Sequence, residues 1–587
     1  MRVYKGADLL MKCLVELGVD SVFGMGGHGN MALCDGLYRT VEGKEVKAYI
    51  VHDESVGAAA AGGYFKATGK PGILLVTNGP GMMQAIPGLV EQAMENTAMV
   101  VICGDIPTAQ WGYGAEEELD IFKDDDQQEL YRGFAKRIYN VVDPAQIPMT
   151  VARAFQTALS GRTGVVLINV PVDVQAKQIS EEMLNKDYDL KNHVFIDRPR
   201  GSKEAVEKAA EMLMNAEHPM LVGGVGAVIS QAAEEIEELA KLLDMPVASC
   251  YLGQAIMGGT NPYYAGRVGG WGNHLANELS WNSDVMITVG NRFDEDETGA
   301  WEIGQTYNTE KTKFIHVHID PREFGKNYPC HCGIHGDPKE VLREIIDIVK
   351  ASKKTFDRGT KDIIKKGVDE YYKENAEYRN SETTPINPHR FVKELEEVFP
   401  ENGIQVGAAI CARNYYERKD AYSTYYGYGM GLIGTTLAQA LGFAVGRPDK
   451  KIVSVEGDGG FLIHSSLLAT AAEYHLPVTW VVVNNSSYGT VWGLQRQYFE
   501  NRSILTEFKY EEGDVYVPNY AKMAEAFNVK GFRIEKPEDI KKTLEEALNY
   551  PGPCLVDVVV DRMFSSTPPT EGSRCGWDKY YPDWTDK

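Results

Sequence analysis

The 587-residue sequence is short of basic residues, of long apolar runs and of clustered cysteines. Lys and Arg number 60 against 83 Asp and Glu, which gives a formal net charge of -23 at pH 7. This balance is not the basic footprint of a nucleic-acid-binding protein, and it disfavours binding to an anionic membrane surface. An anionic small molecule remains compatible with the chain where backbone N–H groups or a metal ion neutralise it locally.

The apolar runs are shorter than the roughly 18 to 20 residues that a membrane-spanning helix needs. The first residues, Met1 to Gly6, lack the apolar run of a secretory signal. Nine scattered cysteines do not form a disulfide framework, so we expect a cytoplasmic protein. Cys330 and Cys332 flank His331, but no second cluster at zinc-finger spacing accompanies them, and we expect these residues to be structural.

Short apolar runs alternate with segments in which apolar residues recur every three or four positions. This alternation predicts an α/β protein with parallel sheets. The clearest predicted strands are 46–51, 73–76, 98–103, 164–170, 219–222, 284–289, 314–319, 451–455 and 477–483. Charged stretches divide the chain into three doubly wound parallel-sheet domains, 1–183, 200–350 and 388–587, with a charged linker at 351–387.

The sharpest motif is a glycine-rich turn with one aspartate, directly after the strand predicted at 451–455. Its residues are Gly457, Asp458, Gly459 and Gly460. Glycines after a strand let the backbone approach a phosphate, and a helix N-terminus favours negative charge. Asn485 follows the next predicted strand. Two such side-chain oxygens, completed by phosphate oxygens, are suited to Mg²⁺.

A second group of residues lies near the start of the sequence. Glu54 follows the strand predicted at 46–51 and opens an Ala- and Gly-rich helical segment, and the next strand leads into the turn 77–81. Burial among small apolar residues would favour the protonated carboxyl group. Taken alone, the position is more typical of a surface acid at a helix N-terminus.

Together these two groups resemble the thiamine-diphosphate-dependent enzymes, over the run from Glu54 to Gly81 and at the Gly-Asp-Gly and paired-Asn signature. The resemblance implies a pyrimidine-binding first domain, a central domain and a diphosphate-binding third domain. It makes Glu54 the catalytic acid that bonds to the pyrimidine ring, so that the thiazolium carbon can lose its proton. It also makes Gln128 a glutamine near the cofactor.

By the same resemblance, Asp458, Asn485 and the main-chain oxygen of Ser487 hold Mg²⁺. The loop before Gly442 would keep thiamine diphosphate in a V shape, with Ile433 as the apolar wedge and Gly431 as the carbonyl acceptor. Met430 is the competing wedge if the loop is shifted, and an ordinary helix start is the alternative reading. The residues expected to bind the cofactor are Gly431, Ile433, Gly457, Asp458, Gly459, Gly460, Asn485, Ser487, Tyr488 and Gly489.

In the family, the pyrimidine domain of one subunit faces the diphosphate domain of another. This implies a homo-oligomer, a dimer or a tetramer, with the active site at an isologous subunit interface.

The whole chain resembles the acetolactate synthase branch, chiefly through its middle segment. In that branch, strand ends of the central sheet hold FAD, as expected for a doubly wound sheet, and some relatives hold ADP or nothing. The residues expected there are Gly223, Gly224, Gly270, Arg292, Asp294 and Asp320.

Three positions depart from that branch. Asp296 stands where an Arg binds the carboxylate of the second 2-oxoacid, and an acid there would repel it. Leu494 replaces a Trp of the acceptor pocket, although Trp492 is near. His28 replaces an apolar residue in a loop that borders the reacting carbon. We expect His28 to be either a catalytic acid–base or a loop imidazole bonded to the backbone.

The sequence therefore predicts a thiamine-diphosphate- and Mg²⁺-dependent carboligase or decarboxylase of 2-oxoacids, with an altered acceptor pocket and a small carbonyl substrate. A lyase of hydroxyketones, diketones or 2-hydroxyacyl-CoA that acts without decarboxylation is the first alternative. A flavin-dependent oxidoreductase is the second, and the combination of Glu54 with Asp458 and Asn485 argues against it. Neither a nucleic acid nor a membrane is expected as a partner.

Overall fold

The structure is a computed structural model that describes residues 3–119, 127–184, 189–301, 304, 306–407 and 418–563. These ranges contain three six-stranded sheets, each with parallel pairing between all neighbouring strands, and one antiparallel pair of short strands. The predicted α/β class with three parallel-sheet domains is confirmed. No helix within the described ranges has both the length and the apolar character needed to cross a membrane.

The first domain contains strands β1 to β8 and helices α1 to α6. Its strands are β1 Val3–Lys5, β2 Ser21–Gly24, β3 Lys47–Ile50, β4 Gly72–Val76, β5 Met99–Asp105, β6 Arg137–Asn140, β7 Val165–Pro171 and β8 Gln178–Ser180. Its helices are α1 Gly6–Glu16, α2 Met31–Glu42, α3 Glu54–Thr68, α4 Pro80–Met94, α5 Ile147–Leu159 and α6 Val172–Ala176. The sheet order is β3-β2-β4-β5-β7-β6, and β1 pairs with β8.

The central domain has a different strand order, β11-β10-β9-β12-β13-β14. Its strands are β9 Pro219–Gly223, β10 Val247–Ser249, β11 Tyr264–Arg267, β12 Val285–Val289, β13 Lys313–His318 and β14 Cys332–His335. Its helices are α7 Lys203–Asn215, α8 Val225–Ile229, α9 Ala233–Leu243, α10 His274–Asn282, α11 Glu295–Thr298 and α12 Pro338–Ser352. The order reverses between β9 and β12, and ligands bind at such a reversal in doubly wound sheets.

The segment predicted as a charged linker contains two helices, α13 Thr360–Glu374 and α14 Ala376–Arg379. Most of its residues are exposed, while Ile364 packs into the central domain. The domain boundaries drawn from the sequence stay a prediction.

The third domain repeats the arrangement of the first. Its strands are β15 Gly403–Gly407, β16 Thr424–Tyr426, β17 Lys451–Gly457, β18 Val478–Asn484, β19 Lys530–Ile534 and β20 Cys554–Val559. Its helices are α15 Pro388–Val398, α16 Thr435–Gly446, α17 Asp458–His464, α18 Leu467–Tyr474, α19 Gly489–Tyr498, α20 Tyr520–Ala526 and α21 Ile540–Leu548. The sheet order β16-β15-β17-β18-β20-β19 matches the first sheet strand for strand.

Helices α3 and α16, which follow the second strand of the first and third sheets, pack against each other across a seam of small residues. A Cβ placed at Gly63 would lie 2.0 Å from the Gln439 carbonyl oxygen, and one at Gly442 would lie 1.9 Å from that of Ala60. Only glycine permits so close an approach of two backbones. A single apolar core therefore runs through both domains.

Candidate active site

Glu54 is the first residue of α3 and lies at the edge where the strands of the first sheet end. Asp53 caps the helix by accepting the Ser55 N–H at 2.8 Å. The Glu54 side chain is buried. Burial raises the pKa of Glu54 and the nearby Asp53 charge adds to the rise, although a hydrogen bond to its own backbone opposes it. The protonated carboxyl is thus favoured, as the Ala- and Gly-rich setting predicts.

The Glu54 carboxyl lies beside the turn that follows β4. A Cβ placed at Gly81 would be 3.2 Å from Glu54 Oε1 and 2.8 Å from Thr77 Cγ2, so all three residues are in close proximity. The Thr77 hydroxyl oxygen accepts the Gly29 N–H at 3.1 Å. Thr77 therefore joins the turn next to Glu54 to the loop that carries the predicted residue His28.

His28 has a carboxylate partner that could not be predicted from the sequence. Its Nδ1 lies 3.4 Å from Glu117 Oε1, and the other carboxylate oxygen accepts the Thr77 hydroxyl at 3.2 Å. The Glu117 carbonyl oxygen accepts Asn78 Nδ2–H at 3.1 Å. A Cβ at Gly79 would lie 2.3 Å from the same oxygen, so glycine is needed there.

Glu117 belongs to a loop that is folded by its own neighbour. Glu118 accepts the backbone N–H groups of Gly112, Gly114 and Ala115 at 2.8, 3.1 and 3.1 Å. An acidic stretch, 116–126, begins here, and its part from 120 to 126 lies outside the described residues.

Gln128 is buried in a helical turn behind the same edge of the sheet. Its neighbour Gln127, which was not singled out from the sequence, accepts the Gly79 N–H and lies 3.4 Å from Asp105 through its amide nitrogen. Nothing in the sequence distinguishes the two adjacent glutamines. The fold shows that Gln127 bonds to the turn after β4.

Asp458, Asn485 and Ser487 come together at the ends of β17 and β18. Asp458 is buried and accepts the N–H groups of Ser486 at 2.7 Å and Gly459 at 2.9 Å. Burial raises the pKa of Asp458 to about 7 even though these hydrogen bonds lower it. Asn485 Oδ1 accepts both the N–H and the hydroxyl of Ser487 at 3.1 Å.

These residues fit a hydrated divalent cation that also binds phosphate. A carboxylate, an amide oxygen and a main-chain carbonyl are the hard oxygen ligands that Mg²⁺ prefers, and a bound cation would offset the cost of the buried Asp458 charge. A Cβ at Gly459 would lie 2.6 Å from the Tyr488 ring, and one at Gly489 would lie 2.4 Å from Asn485 Nδ2. Above Gly457, by contrast, the space is open.

The loop 429–434 is held by Glu91 of α4, from the first domain. Glu91 accepts the backbone N–H groups of Gly429 at 2.5 Å, Met430 at 3.1 Å and Leu432 at 3.1 Å. Its side chain is buried, and burial followed by the nearby Glu95 charge raises its pKa. The sequence signal for this residue is slight: it is the one charged residue of α4.

The predicted wedge loop has two left-handed glycines, Gly431 at φ 89° and Gly434 at φ 84°. Met430 is 67% exposed and Ile433 is 42% exposed in the single chain. Both apolar side chains are thus available to a ligand or to a second subunit.

Arg292 connects all three domains. It donates to the Met94 carbonyl oxygen at 3.3 Å and to the Gly429 carbonyl oxygen at 3.4 Å, while its Nε binds Asp294 at 2.9 Å. One guanidinium group therefore joins the central domain to the end of α4 and to the start of the loop 429–434.

A cavity of about 190 Å³ opens where the central sheet reverses its order, against the first domain. Residues that line it include Arg162, Arg198, Val225, Gly226, Asn291, Arg292 and Asp294. Three of these lining residues are arginines, which suit an anionic ligand such as a nucleotide.

The other four residues predicted to bind a nucleotide are not among the residues that line this cavity. Gly223 and Gly224 lead directly into the lining residues of α8. Gly270 donates its N–H to the backbone at position 296, at 2.9 Å. Asp320 is already bound by Arg322 at 2.7 Å.

Comparison with known families agrees with this geometry. Family models described as the N-terminal TPP binding domain, the central domain and the C-terminal TPP binding domain of thiamine pyrophosphate enzymes match residues 4–130, 206–345 and 406–558. The chain belongs to the thiamine-pyrophosphate-dependent, acetolactate-synthase-like enzyme family. Thiamine pyrophosphate is the compound called thiamine diphosphate above.

Relatives of this family match along nearly the whole chain. The probable acetolactate synthase large subunit of Methanocaldococcus jannaschii is 30% identical over 567 residues, which cover 95% of this chain and 92% of the relative. The acetolactate synthase large subunit of Cyanidium caldarium is 29% identical, covering 94% and 93%. Acetolactate synthase 1, chloroplastic, of Nicotiana tabacum is 29% identical, covering 95% and 82%.

Two of the positions that depart from the acetolactate synthase pattern have defined surroundings. Burial raises the pKa of Asp296 to about 7, and the nearby Asp294 and Glu295 charges add to the rise. Trp492 is buried and donates to the Ser503 hydroxyl at 3.2 Å, so its ring belongs to the core of its own domain. Leu494 is half-buried on the same helix.

Glu54 and the oxygen-rich group around Asp458 are not bonded to each other within the described residues of one chain. In the part of the chain that the structure describes, no hydrogen bond or ion pair joins Glu54 to Asp458 or to the loop 429–434. Glu54 and the His28 loop form one half-site, and Asp458 with Asn485 forms another.

Proposed function

We propose that the chain is a Mg²⁺-dependent thiamine diphosphate enzyme that makes or cleaves a carbon–carbon bond next to a carbonyl, an acetolactate-synthase-like carboligase or decarboxylase with an altered acceptor pocket. One observation carries this proposal: a buried carboxyl, Glu54, and a buried oxygen set around Asp458 stand at the carboxyl edges of two sheets with the same strand order. Ligands bind at that edge in such folds.

When bound, thiamine diphosphate supplies a carbon nucleophile that adds to the substrate carbonyl and accepts the electron pair of the broken bond. Asp458, the Asn485 side chain and the Ser487 carbonyl would hold Mg²⁺ against the diphosphate. Backbone groups near the diphosphate would come from Gly457, Gly459, Gly460, Tyr488 and Gly489. The donor set and the glycines that cannot carry a side chain support this assignment.

Glu54 would hold a proton at the pyrimidine ring nitrogen, because its burial favours the protonated carboxyl. Ile433 would support the bend of the cofactor and the Gly431 carbonyl would accept from its amino group. Gln128 and His28 would lie near the reacting carbon.

The active unit would be a homo-oligomer in which Glu54 of one subunit meets the loop 429–434 of another. The separation of the two half-sites in one chain supports this arrangement. So does the exposure of apolar residues beside the second half-site, namely Met430, Ile433, Leu462 and Ile463. An apolar surface of this kind is typical of a protein–protein interface.

Two further features belong to the proposal. The half-buried residues Asp296 and Leu494 would make the acceptor pocket unsuited to a second carboxylate. The central cavity with Arg162 and Arg198 would hold FAD or ADP, with no redox part in the reaction. The seven cysteines among the described residues are free, which fits a reducing compartment such as the cytoplasm.

The decisive test compares the purified protein with Glu54→Gln. We expect the wild-type chain to bind thiamine diphosphate only with Mg²⁺ and to exchange the thiazolium proton with deuterated solvent. Glu54→Gln should retain the cofactor and lose exchange by about 10²- to 10⁴-fold, the usual contribution of a positioned acid or base. Failure of the wild type to bind the cofactor would sink the proposal, and full exchange in the variant would remove Glu54 from its role.

A further inference from the structure

We propose that Glu117 is a positioning residue that holds the His28 imidazole for acid–base work, and that the substrate is a neutral 2-hydroxy ketone cleaved without loss of CO₂. This inference rests on the thiamine-dependent carbon–carbon bond chemistry proposed above, takes its cleavage direction without decarboxylation, and adds a residue and a substrate class.

The first step is the location of His28 at the order reversal of the first sheet. The loop after β2 and the turn after β4 meet there, because a Cβ at Gly27 would lie 2.6 Å from Thr77 Cβ. Thr77 also lies near the Glu54 carboxyl, because a Cβ placed at Gly81 would be close to both side chains. The imidazole loop and the catalytic carboxyl are therefore on two sides of one threonine.

The second step is the contrast in exposure between the two partners. The His28 side chain is 69% exposed, whereas the Glu117 side chain is 18% exposed. An exposed imidazole beside a more buried carboxylate suits a pair in which the imidazole contacts the substrate and the carboxylate orients the imidazole.

The third step is that Glu117 is fixed by its own backbone. Its φ of 67° is left-handed, which is uncommon for a residue with a side chain. Asn78 binds its carbonyl oxygen, and Glu118 folds the preceding turn through three backbone N–H groups. The carboxylate is thus directed at His28 and Thr77 by structure on both sides of it.

The tautomer of His28 follows from this geometry. A carboxylate next to Nδ1 favours the proton on that nitrogen, which leaves the Nε2 lone pair free as a base. Substitution of Glu117 would release the ring and remove this preference.

The substrate class follows from which proton has to move. Loss of CO₂ from an adduct releases no proton at the departing carbon, so it needs no base there. Cleavage of a 2-hydroxy ketone requires removal of the hydroxyl proton as the carbon–carbon bond breaks. The Glu117 charge would also repel a substrate carboxylate, which leaves a neutral molecule as the better ligand.

In the proposed step, His28 Nε2 takes the hydroxyl proton while the bond between the carbinol carbon and the carbonyl carbon breaks. The carbinol carbon leaves as a carbonyl product. The electron pair goes to the former carbonyl carbon, which then receives the proton from Nε2 and is released as a second carbonyl product. One hydroxy ketone thus gives two carbonyl compounds, and neither an oxidant nor water is consumed.

The kinetic test uses acetoin as the neutral hydroxy ketone and pyruvate as the 2-oxoacid, with the holoenzyme and four variants. Acetoin should be cleaved faster than pyruvate is consumed. His28→Gln should lower kcat for acetoin by about 10²- to 10⁴-fold, and Glu117→Gln by about 10- to 100-fold, with KM little changed. Glu117→Asp should recover part of the loss, and Glu116→Gln, exposed in the same loop, should act as wild type.

Two readouts separate positioning from a structural role. Thiazolium proton exchange depends on Glu54, so it should be unchanged in Glu117→Gln; a parallel loss of exchange would mean that Glu117 only supports the fold. ¹⁵N NMR spectra of histidine-labelled protein at alkaline pH should show His28 protonated on Nδ1 in the wild type and Glu116→Gln but mixed in Glu117→Gln.

The outcomes distinguish the two proposals. If the wild type neither binds thiamine diphosphate nor exchanges its proton, the proposed function fails, and the NMR tautomer still reports on Glu117. If exchange occurs but pyruvate is consumed faster than acetoin, or Glu117→Gln matches Glu116→Gln in turnover and tautomer, the inference made here is wrong.

Discussion

The first and third domains are built on the same strand order, yet they carry different chemistry at the same place. Residue Gly24 ends the first strand of one sheet and pairs with Leu75, and Gly407 ends the first strand of the other and pairs with Val455. Three residues beyond each partner stand Asn78 and Asp458. An amide that binds a neighbouring loop thus corresponds to the carboxylate proposed to bind Mg²⁺.

The turn after the second strand of each sheet also carries different residues in the two domains. In the first domain it carries Glu54, and in the third it carries the loop 429–434 with its two left-handed glycines. On the proposed function, the fold supplies the position, and a few residues at the carboxyl edge would decide whether it moves a proton or supports the cofactor.

The largest effect should come from making the two domains alike at the positions of Asn78 and Asp458. Asp458→Asn gives the third domain the residue type that the first has, and removes the only charge among the three proposed oxygen ligands. We expect Mg²⁺-dependent binding of thiamine diphosphate to weaken by about 100-fold, since contacts to a charged group are worth about 1.5–3 kcal/mol each. Calorimetric titration measures this change.

The reciprocal change, Asn78→Asp, is the control for that experiment, because it should leave Mg²⁺ affinity unaltered. Equal cofactor affinity in Asp458→Asn and in the wild type would contradict the division of labour between the domains.

A smaller effect should follow when the hydrogen bonds from the loop 429–434 of the third domain to Glu91 of the first domain are removed. Glu91→Ala leaves three N–H groups of the loop 429–432 without their acceptor. Water can replace part of this loss, so we expect the free energy of unfolding to fall by about 2 kcal/mol. Glu546→Ala, an exposed glutamate on α21, should change it by less than about 0.5 kcal/mol.

Urea denaturation followed by circular dichroism would measure both variants. An unchanged free energy of unfolding in Glu91→Ala would show that the loop keeps its shape without the first domain.

The smallest effects should come from the seam between α3 and α16. Substitutions on either helix should destabilise the protein to a similar extent. Gly63→Ala and Gly442→Ala each place a methyl group against a backbone carbonyl of the other helix. Each should lower the free energy of unfolding by about 1–2 kcal/mol through overpacking, less any gain from better helix propensity. Gly133→Ala, where nothing lies within 4 Å of the added carbon, is the matched control.

A calorimetric comparison of melting temperatures would check these three variants. If only one of the two seam variants is destabilised, the helices do not contribute equally to the shared core.

The local part of this architecture could be predicted from the sequence, because periodic apolar runs and turn residues act over short distances. The strand predicted at 451–455 was found at Lys451–Gly457, and that predicted at 219–222 at Pro219–Gly223. Asp458 and Asn485 could be singled out because each directly follows a strand. The strand orders could not be predicted, since many orders satisfy the same alternation.

The residues missed by the sequence act across long separations. Glu117 meets His28 only when its loop folds over the carboxyl edge, and Glu91 meets Gly429 only when two domains pack. Trp492 is near the expected pocket position in the sequence, and its ring is buried in its own domain.

The seam of small residues also governs how this enzyme can be recombined with its relatives. Each helix of the seam is fitted to a helix from the opposite half of the chain, so a chimera that takes α3 from one parent and α16 from another joins surfaces selected separately. Crossovers that keep both helices from one parent, and exchange the central domain between them, preserve the fit. Chimeras with relatives should therefore fold best when both helices of the seam come from the same parent.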